Sequence, residues 1–213
     1  MRAAPDATAS PATTASVTPI RFGPLWTRAF HGFNLLVLLV MAASGLQIYN
    51  ANPVFGGRGG ATVPQLFTLG GWLAGGRDWH FGFMGPYALN LGVWIALLFL
   101  QRRRRLAVGG DLTTLRASLN PAKRRLSAHR LIYSLMLVLL GFSLISGLAL
   151  YKPAQFWWLV ALFSVGETFG STSWQTLRIC HLATIPAIAL LLVGHVLLAW
   201  RIGGLRLLRA MVA

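Results

Sequence analysis

Long apolar runs alternate along this chain with short breaks rich in glycine, proline or arginine. Four runs, Trp26 to Tyr49, Trp79 to Leu100, His129 to Tyr151 and Thr176 to Trp200, reach the roughly 20 residues that a helix needs to cross the hydrocarbon core of a bilayer. A fifth run, Phe156 to Phe163, is too short to span and too aromatic for an idle linker. It is expected to form a short interfacial helix between spans three and four, with Trp157 and Trp158 at headgroup depth, or else a re-entrant segment. The pattern therefore predicts an all-α membrane protein built as a four-transmembrane-helix bundle. Residues 1–20 are small, polar and broken by proline, and a disordered cytoplasmic tail is expected there. That stretch has no apolar core of a cleavable secretory signal; a serine-rich organellar transit peptide is the competing reading. Residues 21–205 would form the transmembrane domain and 206–213 a short basic tail.

Composition agrees with the pattern: the chain is 55% hydrophobic and 11% charged, with a mean hydropathy of +0.62. A formal net charge of +15 is also the mark of a nucleic-acid binder, but the basic residues sit at the ends of apolar runs rather than on a water-exposed face. Their partner is expected to be membrane lipid, and nucleic acid is excluded. Arg21 and Arg28 precede span one, Arg102 to Arg105, Arg116, Lys123 to Arg125 and Arg130 fill the loop after span two, and Arg201, Arg206 and Arg209 follow span four. The opposite loops hold only Arg58, Arg77, Lys152 and Arg178. Short basic loops stay inside, so both termini are expected to be cytoplasmic. The single cysteine, Cys180, excludes an intramolecular disulfide, a Cys-rich metal site and covalent haem attachment.

In this topology the five histidines fall at two depths. His31 and His195 share the cytoplasmic level, and His80 and His181 share the outer one. His181 and His195 are fourteen residues apart on one span, which is nearly four turns, roughly 21 Å of rise, within about 40° of one face. A b-type haem takes two axial ligands from opposite sides, and neutral imidazole suits iron. Two cross-helix pairs would hold two haems stacked across the membrane. His129, at the cytoplasmic start of span three, could replace His31, or could serve with Arg130 at a haem propionate or a quinone headgroup. Taken singly, a histidine could instead hydrogen-bond a carbonyl or line a proton path. Arg28, Arg130 and Arg201 near the inner haem, and Arg77 or Arg178 near the outer, are candidate propionate partners. Gly32, Gly45, Gly82, Gly85, Gly92, Gly141, Gly147 and Gly194 would leave room for a flat macrocycle or for close helix packing. Pro186 lies between the two span-four histidines, where a bend is expected. Asp78 would either cap the start of span two or contact a partner.

The stretch "RAFHGFNLLVLLVMAASGLQIYNANPVFGG" and the fourteen-residue histidine pair resemble the prokaryotic di-haem cytochrome b family, the membrane subunits of formate dehydrogenase, nickel-iron hydrogenase and thiosulfate reductase, the last most closely. The likeness covers about residues 21 to 205. It implies an inner haem b on His31 and His195, an outer haem b on His80 and His181, and a place in the bacterial inner membrane. It further implies electron transfer between a quinone and a periplasmic redox subunit, a molybdopterin enzyme reached directly or through an iron-sulfur protein. The start of span three, "LSAHRLIY", departs from the quinone-binding residues of the formate dehydrogenase branch. Two other functions fit the same residues: a self-contained superoxide:quinone oxidoreductase, and a non-redox helical transporter or assembly factor whose histidines move protons.

Overall fold

A computed structural model describes residues 25–101, 105–163 and 173–212. The expected N-terminal tail, most of the arginine run and the end of the second outer loop lie outside these residues. Six helices follow in order: α1 Leu25–Ala51, α2 Leu73–Gln101, α3 Asp111–Ala117, α4 Pro121–Tyr151, α5 Trp157–Ala161 and α6 Ser173–Val212. Among the described residues there is no strand. Four helices are long and apolar enough to cross a membrane, over Arg28–Ala51, Leu73–Leu100, Pro121–Tyr151 and Ser173–Leu207. In lipid every backbone polar group must be satisfied within its own segment, which is why such runs settle as helices. Their outer faces stay apolar, with Leu39, Val138 and Leu190 exposed by 60%, 65% and 73%.

α1 packs chiefly on α2, and α4 chiefly on α6; narrower seams join α1 to α6 and α2 to α4. The bundle is thus two helical hairpins laid together. Their common core is Val37, Tyr87, Leu91 and Leu140, ringed by Met41, Phe83, Ile95, Met136 and Ile188. Tyr87 ties the halves at mid-depth by donating its hydroxyl to the Leu140 carbonyl at 2.8 Å.

Helix ends differ from the hydropathic expectation where water, not lipid, sets them. α4 starts eight residues before His129, because Asn120 accepts from the amides of Ala122 and Lys123 (2.9 and 3.2 Å) and Pro121 supplies a preset first turn. α2 starts at Leu73, which puts the exposed Asp78 in its second turn, too late to cap it. α6 continues past Trp200 through the basic residues to Val212. Its dihedrals stay helical through Pro186 and break instead at Gly204 (φ 61, ψ −161), a conformation reserved for glycine. The segment expected at the interface is a single turn, α5, with Trp157 and Trp158 exposed and Leu159 buried against Ala149 and Leu177. The seven-residue α3, which carries no hydropathic signal, packs on α4.

A candidate paired-histidine cofactor site

At the end of the bundle where α1 finishes and α2 and α6 begin, His80 and His181 face each other with ring centres 6.4 Å apart and planes at 86°. Each ring is held through Nδ1. The Nδ1 of His80 lies 3.0 Å from the Ser44 Oγ and 3.1 Å from the Met41 carbonyl; that of His181 lies 2.9 Å from the Ser146 Oγ. Nε2 of each ring is left as the candidate donor. A metal to imidazole-nitrogen bond is about 2.1 Å, so two imidazoles on opposite sides of one ion stand with centres about 6 Å apart. The observed spacing fits that arrangement. Among the described residues no group of three or more His, Cys, Asp or Glu converges as a metal site. A bare zinc ion needs three or four protein donors, whereas two suffice when a porphyrin supplies the rest.

The loop between α1 and α2 is pinned over this end. Asn50 pairs its side-chain amide with both backbone groups of Val63 at 2.8 Å, Tyr49 donates to Ala61 O at 2.8 Å, and Leu69 N–H reaches Ala43 O at 3.0 Å. From α6, Gln175 donates to Val54 O at 2.6 Å and Arg178 to Asn52 O at 2.5 Å. Arg178 therefore spends its guanidinium on the lid and on Gln175, while Arg77 is exposed.

At the opposite end His195 is surrounded by aromatic and imidazole rings. His129 is nearest, its centre 4.8 Å away, and Tyr133 lies at 6.3 Å. The Trp94 indole donates to the Tyr133 hydroxyl, and Phe30 stacks on Trp94. Among the described residues, the buried Nδ1 of His195 and the Nε atoms of Arg28 and Arg130 have no hydrogen-bond partner. His31 is exposed, and it is close enough to His195 to act on it electrostatically, although no ring contact joins the two among the described residues. Arg130 pairs with the buried Asp111 of α3. Arg201, exposed at its side chain, accepts at its carbonyl from Arg125 at 3.3 Å.

The serines that hold the first pair escape a reading by residue type, yet a signal for them exists. Arg28, Ser44, Gly45, Leu46 and Tyr49 recur as Arg130, Ser146, Gly147, Leu148 and Tyr151, 102 positions on. Arg77 and His80 recur as Arg178 and His181, 101 positions on. The two hairpins are an internal repeat. At the other end the repeat diverges, with Trp94 at the position that matches His195 and Tyr133 at the position that matches His31. Of the glycines, Gly45 and Gly147 lie against the paired rings: an added Cβ would stand 3.3 Å from His80 Cε1 and 3.1 Å from His181 Cε1. Gly32, Gly82, Gly85, Gly92 and Gly141 meet nothing within 4 Å.

Residues 23–213 match the family described as prokaryotic cytochrome b561. The chain is also similar to a protein of Azospira oryzae that carries the provisional name protein-methionine-sulfoxide reductase subunit YedZ1, at 28% identity over 144 residues, covering 62% of this chain and 71% of that one. No solved structure matches the chain.

Proposed function

Because the chain belongs to the prokaryotic cytochrome b561 family, and so is a multi-pass haem protein of electron transport, we propose that it carries two haems b and moves electrons between quinone and a redox partner outside the membrane. The observation that carries this reading is the pair His80 and His181, with rings 6.4 Å apart and both Nδ1 atoms engaged. A bound haem supplies reversible one-electron chemistry at iron. The protein's part is to ligate, to orient and to exclude water, and the pinned loop over His80 and His181 serves the last of these.

In this reading the second haem is held by His195 with His31, at the cytoplasmic side of the bacterial inner membrane. The 4.8 Å between His129 and His195 is shorter than the roughly 6 Å that an intervening ion requires, which favours His129 as a neighbour of the site over a ligand. The unpartnered Nε atoms of Arg28 and Arg130 suit an anionic edge such as a propionate. The similarity to a protein named as a methionine-sulfoxide reductase subunit supports this chain as the membrane subunit of a redox complex; in this reading its partner is a periplasmic subunit of the molybdopterin or iron-sulfur kind.

The purified protein should give a b-type reduced-minus-oxidised spectrum with two haems per chain. His80→Ala and His181→Ala should each lose the same haem, and His31→Ala and His195→Ala the other, while His129→Ala retains both. One haem in the wild type, or loss of a haem in His129→Ala with both kept in His31→Ala, overturns the assignment. Reduction of the haems by a quinol, with onward transfer only when the partner is added, checks the direction and the need for a second subunit.

A further inference from the structure

Ser44 and Ser146 occupy equivalent places in the two hairpins and do the same thing. The Ser44 hydroxyl donates its single proton to Val40 O at 2.6 Å, and the Ser146 hydroxyl to Phe142 O at 2.8 Å. With that proton committed, each oxygen can only accept from the facing imidazole. The Met41 carbonyl, which cannot donate, also faces the Nδ1 of His80. Nδ1 must therefore carry the hydrogen in both rings, and the lone pair is left on Nε2. The following glycine sets the ring's position, since a Cβ there would stand at 3.3 or 3.1 Å and force the imidazole to move by a few tenths of an ångström.

From this geometry we propose that Ser44–Gly45 and Ser146–Gly147 form a duplicated seat, one in each hairpin, that fixes the tautomer and position of His80 and His181 and lowers the reduction potential of the haem they hold. The inference rests on the reading of these histidines as haem ligands. A ligating imidazole that donates its second N–H is a stronger base toward the metal. It favours ferric over ferrous iron, so removing the acceptor should raise the potential. The four residues are positioning residues, acting through the rings.

The test is a spectroscopic redox titration of the purified haem-loaded protein, with haem content measured alongside. Ser44→Ala and Ser146→Ala should each keep both haems and shift one titration wave, the same wave in each case, to more positive potential. The ferrous-to-ferric ratio at a fixed applied potential should rise on the order of fivefold, the scale of one hydrogen bond. Ser→Thr at either site should restore the wild-type wave. Gly45→Ala and Gly147→Ala should perturb the spectrum of that haem or lower its occupancy, with the other haem untouched. If the histidine variants lose no haem, the ligand reading fails. If they lose it but both Ser→Ala variants titrate like the wild type, the seat fails and the ligand reading stands.

Discussion

Asp111 has no exposed surface, although it lies outside the membrane-spanning helices in a chain with only four acidic residues. Burial alone would raise its pKa, but the Val108 amide at 2.8 Å, the Arg130 guanidinium and the Ser127 hydroxyl override that and hold the carboxyl below its usual range. The carboxylate thereby fastens α3 to α4 beside His129. Asp111→Asn should cost about 2 kcal/mol, the scale of a charge-assisted hydrogen bond, seen as a lower thermal midpoint. Since the folded pKa is depressed, the contribution is complete above the ordinary carboxyl range near pH 4 and fades as pH falls through the lower folded value. The wild type should lose stability in that acid window, and Asp111→Asn should lack that step. At this scale the histidines were legible because an ionisable ring in an apolar run demands a reason. Ser44 and Ser146 were not, because a serine in a membrane helix has a local partner in the carbonyl one turn back. Only their recurrence with Gly and Leu at one constant offset marks them.

The four spans followed from run length alone, since lipid imposes one rule on all of them. Their ends did not, because outside the bilayer a helix stops or starts on capping and backbone geometry. The stretch "PAKRRLSA" reads as a charged loop by hydropathy, yet it is the first two turns of α4 under the Asn120 cap. Asn120→Ala should cost about 1 kcal/mol, measured as a drop in thermal midpoint with haem content unchanged. In α6 the break falls at Gly204 rather than at Pro186, since a proline within a membrane helix can be accommodated while φ 61 with ψ −161 excludes a Cβ. Gly204→Ala should destabilise by about 1–3 kcal/mol or straighten α6, changing the protease accessibility of the residues after it.

For the whole molecule, the distribution of arginine predicts that the N-terminus, the α2–α4 connection and the C-terminus share the cytoplasmic side. A reporter active only in the cytoplasm should work when fused after Ala213 and fail when inserted between Gly57 and Arg58; the reverse result inverts the topology. The division into two hairpins has a consequence for how such a protein is made. His80 is fastened by Ser44 within the first hairpin and His181 by Ser146 within the second, so each segment leaves the ribosome able to aim its own ring with no help from the other. If haem iron is what both grip, as proposed above, the cofactor works as the clasp of biogenesis. Fragments 1–103 and 104–213, expressed together, should co-purify from haem-replete cells and come apart when haem synthesis is blocked.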